Sequence, residues 1–252
     1  GDPETGWYWR GNTVPPLEAM QKEHGALVAA LKAEGVEVVH LERNAMLPGK
    51  MKSVYTRDSV IVVDGGAIVT RLGPPIRRGE ERAVTQTLVH IGMPILRTIH
   101  GAGIMEGGSF AFINPKTAVI GISSRVNEEG ARQVEEVLKV MGVEVIRVHM
   151  TGYRLHIDGN FVMIDVDTAI INPTQLPFWF LEKLKELKIK TIEVHPDDGR
   201  PGRVIMSNQA SKRTLDRLDK EGISVVTIPY ENVYLGGGGI HCSTGPLVRD
   251  PI

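Results

Sequence analysis

Apolar residues follow two rhythms along the chain. In five stretches, residues three and four apart form a helical stripe, which gives way to a short, mostly β-branched run. The first stretch is Leu17 to Leu41, with Leu27, Ala30 and Leu31 on the stripe and Gly35-Val36-Glu37-Val38-Val39 as the run. The second is Glu80 to His100, with Gly92-Met93-Pro94-Ile95-Leu96, and the third is Glu128 to Met150, with Gly142-Val143-Glu144-Val145-Ile146. Phe178 to His195 carries Lys188-Ile189-Lys190-Thr191-Ile192, and Ser211 to Tyr230 carries Gly222-Ile223-Ser224-Val225-Val226. A helix followed by a strand is predicted in each, and the Gly, where present, suits the helix C-terminus.

Hairpin patterns fill the gaps between these stretches. Val60 to Leu72 turns at Asp64-Gly65-Gly66, Phe110 to Ile122 at Asn114-Pro115-Lys116, and Phe161 to Ile171 near Asp165 to Asp167. The repeating unit is therefore strand, strand, helix, strand. The five runs open 57, 50, 46 and 34 residues apart, which is too irregular for an open solenoid, and no low-complexity linker divides the chain. The expected fold is α/β: one catalytic domain over residues 1–252, closed as a five-fold pseudo-symmetric propeller whose inner loops share a pocket. A generic α/β sheet protein is the alternative.

Composition narrows the class. A 42% hydrophobic and 23% charged chain can bury a large core, and a net charge of −1 with dispersed Lys and Arg gives no nucleic-acid or membrane footprint. No apolar run approaches the ~20 residues of a membrane span. One cysteine excludes an internal disulfide framework, and Gly1 to Arg10 lacks a signal-peptide pattern. A cytoplasmic location is expected, with a homo-oligomer left open.

The chemistry-bearing residues lie beside the hairpins. Cys242 stands between Gly236-Gly237-Gly238-Gly239 and Ser243-Thr244-Gly245-Pro246, outside any apolar run, where a lone buried Cys would ordinarily be a small hydrophobe. His156 and Asp158 alternate in Arg154-Leu155-His156-Ile157-Asp158-Gly159-Asn160, which places both on one face of an extended segment. With a Cys present, His is the usual acid–base partner. Glu106 opens Glu106-Gly107-Gly108 before the second hairpin, and its glycines suggest tight packing; the plainer reading is a solvated turn carboxylate. Asp58 follows Arg57 before the first hairpin, where the two could be an ordinary exposed pair. Arg77 and Arg78 precede a helix starting near Glu80. The helix dipole accounts for Glu80 and Glu81 but opposes the two cations. Arg125 follows Ser123-Ser124 and is suited to carboxylate recognition. No zinc spacing, Walker loop or dinucleotide fingerprint occurs, so no metal and no cofactor is expected.

Together, Thr56-Arg57-Asp58, Glu106-Gly107-Gly108, His156-Ile157-Asp158 and Gly238-Gly239-Ile240-His241-Cys242 resemble, in chain order, the guanidino-group modifying enzymes of the pentein superfamily. The likeness runs from about Tyr55 to Ile252. The ending Cys242-Ser243-Thr244-Gly245-Pro246-Leu247-Val248-Arg249-Asp250-Pro251-Ile252 and the His-x-Asp motif are similar to arginine deiminase. The chain's size and Thr70-Arg71-Leu72-Gly73-Pro74-Pro75-Ile76-Arg77-Arg78 are similar to dimethylarginine dimethylaminohydrolase. The resemblance implies Arg77 and Arg125 on the substrate's α-carboxylate. It departs at Lys52, where relatives carry an Asn or Asp that helps fix the substrate.

The implied reaction is attack of Cys242 on the guanidino carbon of an arginine-like small molecule. Asp58 and Asp158 would clamp the guanidinium, His156 would act as acid and then base, and Glu106 would orient it. Arginine deiminase chemistry is the leading expectation. Dimethylarginine dimethylaminohydrolase, arginine dihydrolase and amidinotransferase activities share the motifs. A non-catalytic ribosome-binding pentein would have no use for this residue set, and a Cys-His peptidase would have no use for several acids.

Overall fold

The structure, a computed structural model, describes residues 15–41, 52–151, 154–194 and 205–248. They divide into two compact units. The smaller holds residues 15–40 and 205–243, and the larger holds residue 41, 52–151, 154–194 and 244–248.

The chain's first described helix, α1 (Leu17–Ala33), lies in the smaller unit. The larger unit repeats one motif three times. β1 (Val60–Val63) and β2 (Gly66–Val69) form an antiparallel hairpin, and α2 (Glu80–His90) crosses over to β3 (Ile95–Thr98), parallel to β2. β4 (Phe110–Asn114), β5 (Thr117–Ile122), α3 (Glu128–Val140) and β6 (Glu144–His149) repeat the pattern. So do β7 (Phe161–Met163), β8 (Thr168–Ile171), α4 (Phe178–Glu186) and β9 (Lys190–Glu193). All three expected hairpins form at the expected turns.

Period-two burial stacks these motifs. In β5, Ala118 and Ile120 join one core with Ile61, Ile68, Val134 and Leu138, while Val119 joins a second core with Ile171, Phe180 and Leu184. The middle sheet is thus buried on both faces, with α3 packed on one and α4 on the other. β2 divides the same way: Ile68 faces the first core, while Ala67 and Val69 pack on Val84 and Leu88 of α2.

The smaller unit contributes β10 (Ile205–Ser207), α5 (Lys212–Lys220), β11 (Val226–Ile228) and α6 (Glu231–Leu235), with β10 and β11 parallel. One expected strand is corrected. The Val36–Val39 run is not a strand, and Val36 and Val39 are largely exposed. Among the described residues the run has no paired neighbour, and a β-branched run without one has no ladder to satisfy its backbone.

Among the described residues, the five long helices end alike. The residue two past each helix takes positive φ: Gly35, Gly92, Gly142 and Gly222 at 73 to 80°, and Lys188 at 59°. The N–H of the next residue returns to the helix, as in Val143 to Leu138 O at 3.1 Å and Ile189 to Leu184 O at 2.9 Å. These are Schellman closures, each pairing an apolar residue beyond the turn with one in the last turn. Lys188 adopts the same geometry without the freedom of glycine. Among the described residues no helix is long and apolar enough to cross a membrane.

Candidate active site

Each hairpin of the larger unit is preceded by a single 3₁₀ turn: Thr56–Ser59, Gly107–Ser109 and Ile157–Gly159. The first packs on the second and the second on the third, so residues about 50 positions apart meet. The close approach depends on two glycines. A Cβ on Gly107 would lie 2.2 Å from Arg57 O, and one on Gly108 would lie 2.8 Å from His156 Nδ1 and 3.0 Å from Asp58 Oδ1. The expectation of tight packing around Glu106 is met in these distances.

Glu106 immediately precedes the middle turn and is 0% exposed, so it is not a solvated turn residue. Its Oε1 accepts from Gly73 N–H at 2.9 Å, and its Oε2 lies 2.7 Å from His156 Nε2. Arg125 Nη1 reaches both oxygens, at 3.3 and 3.2 Å. Burial alone would raise its pKa. The hydrogen bond and charge of His156, with Arg125 and Arg77, outweigh burial and hold Glu106 well below the usual carboxylate range. Burial would likewise lower His156, but Asp58, Glu106 and Asp158 raise it above the ordinary imidazole value. Hydroxyls of Ser109 and Ser123 donate to Leu155 O at 3.4 and 2.6 Å, anchoring the backbone that leads into His156.

Asp58 and Arg57 are buried, so they are not an exposed surface pair. Asp58 Oδ2 accepts from Arg77 Nη1 at 2.7 Å. Asp58 Oδ1 makes no hydrogen bond among the described residues and stands 3.7 Å from His156 Nδ1. Arg77 is buried in turn. Burial would lower its pKa, but Asp58 and Glu80 hold it raised. Expected to hold a substrate carboxylate, it is here shared among Asp58, Glu80 and the Tyr55 carbonyl. Arg125, expected in the same role, pairs with Glu106 and keeps 16% of its side chain exposed.

The extended segment expected around Asp158 ends at His156. The chain then turns at Ile157–Gly159, so strand alternation does not relate the two residues, although both remain in the same unit and Asp158 is buried. Lys52 is half-buried, and its carbonyl accepts from Tyr55 N–H at 3.0 Å. Cys242 occupies the 3₁₀ turn His241–Ser243 of the smaller unit and is 5% exposed. Ser243 N–H and Oγ both return to Gly239 O, at 3.2 and 3.1 Å. Residues 249–252 of the quoted ending lie outside the described residues.

Two features escaped the sequence reading. Glu80 was assigned to the helix dipole, yet it is buried against Arg77; the Arg-x-x-Glu spacing at i, i+3 was the available signal. One ligand atom each from Asp58, Glu106 and His156 also lie within 4.8 Å of one another, a set that could hold a metal ion and that sequence spacing could not show.

A fold of stacked hairpin-helix-strand units, with acids and a histidine on successive turns, defines a class when compared with known proteins. The family model for N,N dimethylarginine dimethylhydrolase, eukaryotic, matches residues 16–179, and that for arginine deiminase matches residues 200–249. The chain belongs to the dimethylarginine dimethylhydrolase family, within the pentein superfamily.

Among curated relatives, a dimethylarginine dimethylaminohydrolase of Pseudomonas aeruginosa is 24% identical over 236 residues, covering 90% of this chain and 88% of the relative. An uncharacterised Bacillus subtilis protein, YkgA, is 27% identical over 244 residues, covering 92% and 82%. The structure of the Pseudomonas aeruginosa enzyme complexed with citrulline superposes with a TM-score of 0.78 at 23% identity, over 96% of this chain and 94% of that one. The N-terminal domain of ArgZ, an arginine dihydrolase from cyanobacteria, also gives 0.78, at 18% identity, covering 93% of this chain and 89% of that one.

Proposed function

We propose that the protein hydrolyses a guanidino C–N bond of arginine or a close analogue, through a covalent intermediate on Cys242. The observation that carries this reading is the buried Glu106–His156 contact beside the unmatched Oδ1 of Asp58. A guanidinium stays protonated in a protein and needs a carboxylate with an open acceptor. Asp58 offers one, and Asp158 is assigned as the second. The thiolate of Cys242 attacks the guanidino carbon, and His156, held protonated by its acidic neighbours, gives its proton to the departing nitrogen. Water, deprotonated by His156, then adds to the thiouronium carbon. The C–S bond breaks, releasing a ureido product and restoring the thiolate. Arg125 is assigned to the carboxylate end of the substrate, with Lys52 beside the guanidinium; Arg77, expected at the same end, is instead given to Asp58 and Glu80. The single domain and closed five-fold propeller expected from the repeats belong to the same proposal.

The finer reading is arginine deiminase chemistry, giving citrulline and ammonia. The dimethylarginine family match over residues 16–179 favours a second, with methylated arginine giving citrulline and a methylamine. Mass spectrometry of products from arginine, methylated arginines, agmatine and other guanidino acids separates them. A product containing a transferred amidino group, formed only with an amine acceptor, would replace hydrolysis by transfer. Cys242→Ser should abolish turnover; full activity in that variant would sink the mechanism.

A further inference from the structure

Among the described residues of the larger unit, the proposed reaction leaves one buried acid unused. Glu80 is the first residue of α2 and is 2% exposed. Its carboxylate grips Arg77 along one edge, accepting from Nε at 3.1 and 3.3 Å and from Nη2 at 2.9 Å. The other end of the same guanidinium holds Asp58: Nη1 donates to Oδ2 at 2.7 Å, while Nη2 also reaches Tyr55 O at 3.4 Å.

We propose that Glu80 is a positioning residue: by fixing Arg77 it fixes the Asp58 carboxylate, so that Oδ2 is consumed and Oδ1 is presented to the substrate's guanidinium. This rests on the guanidino-hydrolase reading. A carboxylate held at neither oxygen rotates freely, and one held at both has fewer acceptor positions left to offer. Arg77 holds one, but an arginine side chain with several rotatable bonds is a loose anchor unless its far edge is fixed as well. The two-point grip of Glu80 supplies that.

Three further observations agree. The Cβ that Gly108 lacks would lie 3.0 Å from Oδ1, so the space beside this oxygen is kept clear of a side chain. The Asp58–Arg77–Glu80 group, when ionised, sums to one negative charge, the sign that attracts a guanidinium. Lastly, burial outweighs the Arg77 contact and raises Glu80 to about 7, so the charged form is held at a cost. A buried charge cluster of this kind is a poor source of stability compared with apolar packing.

The test uses the full chain and Glu80→Gln, with Glu80→Ala as a second variant and melting temperature as the folding control. Two quantities are read: the dissociation constant of a simple alkylguanidine without a carboxylate, and the titration midpoint of the His156 imidazole by NMR. In Glu80→Gln the alkylguanidine should bind on the order of tenfold more weakly, and the His156 midpoint should fall as Asp58 loses its fixed place. Unchanged binding in a folded variant overturns the proposal. A loss seen only with carboxylate-bearing guanidines also overturns it, because Glu80 would then serve a carboxylate clamp. If the wild-type protein binds and turns over no guanidino compound, the function proposal fails. The His156 midpoint then decides the Glu80 inference, and a midpoint equal to wild type would refute it.

Discussion

His156 Nε2 and Glu106 Oε2 lie 2.7 Å apart, and the glutamate is withdrawn entirely from solvent. The pair joins two turns 50 residues apart in sequence. Each member holds the other charged, and this predicts how the site responds to substitution and pH.

Glu106→Gln should remove the hydrogen bond and charge that, after Asp58, hold the imidazolium, and so lower the His156 pKa. Turnover should fall on the order of a hundredfold, and the basic limb of the kcat–pH profile should move to lower pH. An unchanged profile would show that Glu106 does not tune His156.

The same pair predicts a stability window. His156 is raised in the folded state, so its contribution is complete below about 6.5, the ordinary imidazole value, and is lost as pH rises through the folded value. Glu106 is depressed, so its contribution is present above about 4.5 and is lost as pH falls through its folded value. The pair should stabilise most between these limits. Melting temperature against pH, compared with Glu106→Gln, measures it, and parallel curves would contradict the linkage.

Glu80 carries the opposite sign for a carboxylate. Raised to about 7, it keeps its proton in the folded state after the unfolded chain has released it. Stability should therefore fall between about pH 4.5 and 7, by at most on the order of 1 kcal/mol per pH unit. Glu80→Gln should flatten that decline in a chemical-denaturation series.

Glu23 of α1 gives a purely structural test. Its buried carboxylate accepts from Asn232 N–H and Nδ2 at 3.0 and 2.7 Å and from Val233 N–H at 2.9 Å, capping α6. Glu23→Ala leaves these donors unmatched and should cost about 1–3 kcal/mol, seen as a lower denaturation midpoint.

Two neighbouring glycines should fail differently. In Gly107→Ala the new methyl meets backbone, 2.2 Å from Arg57 O and 2.6 Å from Val60 O, so the turn must move and the melting temperature should drop steeply. In Gly108→Ala it meets the His156 ring and the Asp58 carboxylate, which can yield. That variant should fold and lose activity. Full activity in Gly108→Ala would argue against a site at this place.

The sequence by itself determined what short-range geometry controls. Asp64-Gly65 and Pro115-Lys116 turn their hairpins where expected, and Gly92, Gly142 and Gly222 close their helices because positive φ is open to glycine. The family motifs around Asp58, Glu106 and His156 were legible for the same reason: each is a contiguous run. Only tertiary structure decided what those runs meet. Asp58 pairs with Arg77, and Glu106 with His156 and Arg125, because three 3₁₀ turns and the segment before α2 are packed together. Burial raises both Glu80 and Glu106, but at Glu106 the hydrogen bond and charge of His156, with Arg125 and Arg77, reverse it, and among the described residues the Val36–Val39 run forms no strand. Partner choice and burial depend on distances between residues far apart along the chain, and no local pattern encodes them.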